Sequence, residues 1–77
     1  MKFETLEIVV LAHDIPEHGL RTGDVGTAVE IYPGGGLEVE FVRGSGITQA
    51  LLTLSERDLR KLDSYDLLST RRLAKVS

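Results

Sequence analysis

A chain of 77 residues is long enough for one domain and withdraws only about 60–65% of its unfolded surface from water, so its stability is modest. It contains no cysteine and no tryptophan, which excludes disulfides, a thiolate nucleophile and a cysteine-held metal; a reducing cytoplasm is the compartment that suits it. The formal charge of −3 is uneven: six basic residues stand against ten acidic ones up to Leu62, and three against two beyond it. An acidic body is a poor general binder of nucleic acid, which needs clustered Lys and Arg, and a better match for a basic protein.

The N-terminus, Met1-Lys2-Phe3-Glu4, lacks a signal-peptide core, and the apolar runs are too short to span a membrane. Leu6 to Leu11 is a near-continuous apolar run rich in β-branched residues and reads as a first strand, buried on both sides for part of its length. Ala12 to Thr22 is a loop with Pro16 and Gly19, whose Ile15 and Leu20 serve as anchors. Gly23-Asp24 turns the chain into a second strand, Val25 to Tyr32. The glycines Gly34, Gly35 and Gly36 close a hairpin onto a third strand, Leu37 to Val42.

Period-two alternation predicts that Val25, Thr27, Val29 and Ile31 share the core face of the second strand with Leu37, Val39 and Phe41 of the third. Matching those faces through a three-residue loop pairs Ile31 with Val39, Val29 with Phe41 and Glu30 with Glu40. Arg43-Gly44-Ser45-Gly46 is the next turn and Ile47 to Leu54 the fourth strand. Its expected pairing sets Phe41 opposite Thr48, Val39 opposite Ala50 and Leu37 opposite Leu52, and leaves Val42, Ile47 and Leu51 pointing outward. The predicted core is Val25, Val29, Ile31, Val39, Phe41, Ala50 and Leu52. Ser55-Glu56-Arg57-Asp58 has a capping residue with an acid three places on and predicts a single 3₁₀ turn. A short fifth strand, Leu59 to Leu62, follows.

Asp63 to Ser77 is an appendage to the 1–62 body. Ser64 or Asp66 could cap a short helix through Leu67, Leu68, Arg71, Arg72 and Ala74, and a helix that short must dock or fray. Leu67, Leu68, Leu73 and Val76 need burial, and the tail's positive charge opposes the acidic body. The expectation is a short helical or flexible tail that packs on the exterior of the body, its own or that of a second copy, giving a homodimer by exchange. The competing account is a tail that folds only on a partner.

Five short strands, tight turns and one 3₁₀ turn before the last strand describe an all-β, small SH3-like barrel of five strands. Gly23-x-x-Gly26-x-x-Val29 resembles the KOW motif found on such barrels in transcription and ribosomal proteins. A closer resemblance covers residues 6–62. His13-Asp14-Ile15-Pro16-Glu17-His18-Gly19-Leu20, Gly23-Asp24-Val25-Gly26-Thr27, Tyr32-Pro33-Gly34-Gly35, Glu38-Val39-Glu40-Phe41 and Leu51-Leu52-Thr53-Leu54 resemble the small bacterial family known as domain of unknown function 4926. That resemblance implies a short, stand-alone bacterial protein. Some members are encoded beside presumed toxins, which suggests an antitoxin or immunity role.

The residues themselves point away from catalysis. His13-Asp14-x-x-Glu17-His18 gathers metal-ligating side chains, but on a Pro-containing loop the spacing matches no known site geometry, and no metal or cofactor is expected. The serines have no motif-level pairing with a histidine. The triglycine is followed by a strand and has no lysine near it, unlike a phosphate loop. Glu30, Glu38 and Glu40 form an acidic stripe on the outer face beside Ile47 and Leu51. These five residues, with Leu67 and Leu68 of the tail, are the candidate partner-binding set. The reading is a non-enzymatic protein-binding module, plausibly an antitoxin or immunity-type inhibitor of a basic toxin encoded nearby. A KOW-like accessory of RNA or the ribosome, using Arg57, Arg60, Lys61, Arg71, Arg72 and Lys75, and a structural subunit of an enzyme complex are the alternatives.

Overall fold

The computed structural model describes residues 2–74. Its strands are β1 (Ile8–Leu11), β2 (Val25–Ile31), β3 (Gly36–Val42), β4 (Thr48–Ser55) and β5 (Leu59–Lys61). All pair antiparallel in one sheet of order β4-β3-β2-β1-β5. A 3₁₀ turn, Glu56–Asp58, leads into β5 from a capping box in which the Asp58 carboxylate accepts from the Ser55 N–H at 2.8 Å; the same carboxylate also accepts from the Ser55 hydroxyl at 3.1 Å. The five strands and the 3₁₀ turn before the last of them are those expected. The sheet stays open, with β4 and β5 as its edges.

The core is built from Phe3, Val9, Leu11, Leu20, Ala28, Leu37, Val39, Phe41, Ala50 and Leu59, with Ile15, Ile31, Leu52 and Leu54 packed at its margin. The loop between β1 and β2 folds back through the bridge Ile15–Leu20, so both expected anchors engage the core. β1 is buried on both faces: Val10 points away from Val9 and Leu11 and is buried outside the main cluster.

The face assignment of β2 is a correction. Gly26 and Ala28 point into the core, while Val25 is 43% exposed and Val29 only half-buried. A β-bulge at Val29 reverses the parity, so that Ile31 does turn toward the core beyond it. Ala28 faces Val39, Glu30 faces Glu38 and Ile31 faces Leu37, in place of the expected pairs. Steric room decides this. A β-carbon on Gly26 would lie 2.8 Å from Val39 Cγ1 and 2.9 Å from Phe41 Cε1, so only the smallest residues fit where β2 crosses the core. Between β3 and β4 the faces are as expected from Ala50 onward but the register is two residues off, with Leu37 pairing with Leu54, Val39 with Leu52 and Phe41 with Ala50, and Thr48 lies on the outer face, not opposite Phe41 as expected. A second bulge, at Gln49, absorbs the difference before Val42 meets Thr48.

The tail departs from its expected helix. Asp63–Asp66 forms one turn, in which the Asp63 N–H donates to the Asp66 carboxylate at 2.6 Å, and Leu67–Ala74 runs without regular structure. Two arginines hold it. Arg60 on β5 grips Asp66 with two bonds of 2.8 Å. Arg71 grips Asp24, just before β2, at 2.9 and 2.5 Å, and also donates to the Gly19 carbonyl at 2.8 Å. The chain thus leaves the β5 edge and returns to the entry of β2. Leu67 and Leu68 remain exposed and Leu73 is half-buried. Val76 lies outside the described residues, and no helix among them is long and apolar enough to cross a membrane.

Candidate functional site

The outer face of the sheet is read directly from the register. One row crosses four strands as Ile8, Thr27, Glu40 and Leu51; a second runs Glu30, Glu38 and Thr53. Glu30, Glu38 and Glu40 therefore do share a face, with Glu30 directly opposite Glu38, an arrangement that disfavours the sheet unless the charges are solvated or bonded. Hydroxyls supply part of the compensation: Thr53 donates to Glu38 and Thr48 to Glu40, each at 2.6 Å. The neighbouring Glu30 carboxylate raises the pKa of the Tyr32 phenol. The carboxylates in ion pairs among the described residues are Glu7, Asp24, Asp58 and Asp66, so none of the three stripe glutamates has a cation.

Beside the acidic stripe lies exposed apolar surface. Val42, Ile47 and Leu51 are 52%, 57% and 53% exposed, and Leu51 is the direct cross-strand neighbour of Glu40. Leu67 and Leu68 are exposed on the tail between Asp66, which Arg60 holds, and Ser69 and Thr70, which line a cleft with Val42.

A cleft of about 500 Å³ opens between the tail and the body. Leu20, Val25, Phe41 and Val42 give its apolar floor, and Arg71 and Leu73 its tail wall. Gln49, the bulged residue, braces it: its side-chain amide donates to the His18 carbonyl at 3.1 Å and its oxygen accepts from Arg43 Nε at 2.9 Å. Burial pulls the Asp24 carboxyl upward, and the Arg71 guanidinium together with the Arg21 N–H outweighs it, leaving Asp24 below the usual carboxylate range. This cleft is a tail-docking seam.

The histidine loop is organised by hydrogen bonds. Asp14 accepts from the N–H and hydroxyl of Thr22, closing the loop from within. His13 Nε2 meets the Asp58 carboxylate at 2.7 Å, a pairing across 45 positions that no local motif announces. Asp58 also holds Ser55, so the carboxylate stands between hydroxyl and imidazole. In a hydrolytic triad the imidazole occupies the centre and takes the hydroxyl proton; here the carboxylate is central and the Ser55 hydroxyl bonds Asp58. The dyad ties the β1–β2 loop to the 3₁₀ turn.

The family model for domain of unknown function DUF4926 matches residues 5–61. The chain belongs to the DUF4926 family. No curated protein and no solved structure matches it. The DUF4926 match ends at the last residue of β5, so the sheet, the acidic stripe and the His13–Asp58 pair lie inside it and the tail from Leu62 onward lies outside.

Sequence reasoning missed Phe3, which is fully buried, with Lys2 Nζ 5.7 Å and Lys61 Nζ 5.5 Å from its ring centroid. An aromatic in a polar N-terminal stretch, in a chain with only two phenylalanines, was the available signal. It also missed Arg71, whose bonding to Asp24 fixes the tail.

Proposed function

We propose that this domain is a non-enzymatic protein-binding module for a basic partner. The observation that carries the reading is the outer face around β3 and β4, where three glutamates without a cation border the exposed Val42, Ile47 and Leu51. Unmatched carboxylates steer a cationic protein and reject an anionic one, while a desolvated apolar anchor supplies affinity. An antitoxin-like or immunity-like inhibitor of a basic toxin is the biological role that fits this chemistry. Phosphate-rich partners are disfavoured because Arg60 and Arg71, two of the cations such a surface would use, are committed to Asp66 and Asp24.

The test is affinity capture from the native host with the parent chain and with the Glu38→Lys/Glu40→Lys double variant, followed by reconstitution with the purified captured protein. A basic protein bound by the parent in simple stoichiometry, and bound at least about tenfold more weakly by the variant, supports the reading. Equal binding by both, or capture of RNA alone, overturns it.

A further inference from the structure

The two edges of the sheet are unlike. β5 is three residues long, two of them basic, and both are engaged: Arg60 by Asp66, and Lys61 by Glu7 at 3.1 Å and by the ring of Phe3. Short length and charge are the usual guards of an edge. β4 has neither. It runs eight residues, Thr-Gln-Ala-Leu-Leu-Thr-Leu-Ser, without a charge, a proline or a glycine. Its single bulge sits at Gln49, beside the turn, and the run from Ala50 to Ser55 is uninterrupted. Along such a strand every second residue turns its N–H and C=O away from β3, and among the described residues no other strand meets them. The tail meets β4 across the cleft at Gln49 and is held at Asp24 and Gly19, while Thr48, Leu51 and Thr53 stay exposed.

We propose that β4 is a receiving edge for a strand of another protein, basic at its outward positions and apolar at its inward ones. The proposal rests on the protein-binding reading above and names the mode and the partner chemistry. An outward residue of an added strand would neighbour Leu51 or Thr53 and stand two strand spacings, about 10 Å, from Glu40 or Glu38; a Lys or Arg reaching inward and a glutamate reaching outward close that gap. Its inward residues would cover Leu52 and Leu54, which pack on the margin of the core and are only half-buried. Main-chain bonds then give affinity and the alternating side chains give selectivity. A second copy is a worse fit. Its β4 would bring Thr48, Leu51 and Thr53 to the outward positions, with no cation among them, and its β5 is short and its cations are spoken for.

The probe is an end-blocked eight-residue peptide alternating lysine and valine, compared with its glutamate–valine counterpart and with a backbone N-methylated lysine–valine peptide. Binding is followed by amide chemical shifts and hydrogen exchange across the full chain. The expected result is slowed exchange at alternate amides of β4 with the lysine peptide. Binding should weaken at least about tenfold for the glutamate peptide, and no protection should arise from the N-methylated one. Glu38→Gln/Glu40→Gln should lose the lysine preference while its own amide spectrum stays folded. Equal binding of the N-methylated peptide with β4 exchange unchanged overturns strand addition, and leaves the acidic-face reading standing. Absence of any binding by the lysine peptide overturns the proposal as well. So does sedimentation of the chain alone as a dimer with β4 already protected, which assigns the edge to a second copy.

Discussion

Gly26 faces Phe41 so closely that a single added methyl group would lie 2.9 Å from the ring edge, 2.8 Å from Val39 and 3.0 Å from the Glu40 carbonyl. Two of these neighbours are buried core side chains and the third is backbone, so the space cannot open cheaply. Gly26→Ala is expected to cost about 1–3 kcal/mol by overpacking. Gly44→Ala is the control: it has open space and an ordinary φ, and should stay within about 0.5 kcal/mol of the parent. Urea midpoints compare the two. A Gly26→Ala protein as stable as the parent would mean that β2 does not cross the core here.

The same contact explains what could be read beforehand. The alternation of Leu37, Val39 and Phe41 was legible because each inward residue is large and apolar. In β2 the large residues, Val25 and Val29, are outside or in the bulge, and the inward ones are Gly26 and Ala28. A reading that equates size with burial therefore chooses the wrong face. The bulges at Val29 and Gln49 leave no mark in a single sequence, so strand existence and the faces of β3 were recoverable, while register and the face of β2 ahead of its bulge were not. Glu30, Glu38 and Glu40 were placed on one face correctly because the bulge at Val29 precedes Glu30 and the alternation of β3 is regular. The His13–Asp58 and Arg71–Asp24 pairs join distant segments through single side chains and carry no periodic signal.

Phe41 and Phe3 close the core from different segments, and both are nearly inaccessible. Truncating either to alanine should cost about 3–5 kcal/mol. A domain of this size has roughly 4–12 kcal/mol in all, at 0.05–0.15 per residue, so each variant should be unfolded or close to it at 25 °C. Thermal melting followed by circular dichroism reads this directly. A parent-like melt for Phe3→Ala would show that the N-terminal segment is dispensable to the core.

The tail is docked by side chains, not by a backbone ladder. Among the described residues, the amides from Leu67 to Ala74 donate to no carbonyl, so they should exchange quickly even though the tail is bound. Docking should appear instead in stability. Arg71→Ala should cost about 1 kcal/mol, the value of a well-formed, partly shielded charge-assisted contact, and truncation after Leu62 at least as much. In a double-mutant cycle with Asp24→Asn, the two changes should be strongly non-additive. Additive effects, with no drop in melting temperature on truncation, would remove the Arg71–Asp24 contact from the account.

His13 and Asp58 make stability depend on pH from both sides. The bond to the Asp58 carboxylate, helped by the Asp14 carbonyl, raises the His13 pKa above its usual 6.5. A raised folded value means that the contribution is complete below about pH 6.5 and is lost as pH rises through the folded value. Asp58 is shifted the other way, chiefly by His13 and then by the Ser55 N–H, so its contribution exists above 3.8 and is lost as pH falls. Both are present together only between those limits, and stability should peak there. The acid limb is shared: Asp66 is drawn down to about 2 by Arg60, and Asp14 is lowered by Thr22, so acid unfolding does not isolate the pair. The alkaline limb does. In the parent, denaturant midpoints should fall as pH rises above about 6.5, and His13→Gln should flatten that decline. The imidazole resonances of His13 should titrate above 6.5 in the parent and move back toward it in Asp58→Asn, which keeps an acceptor oxygen for the Ser55 N–H. An unchanged alkaline decline in His13→Gln, with no movement of the His13 titration in Asp58→Asn, would show that the pair does not form in solution.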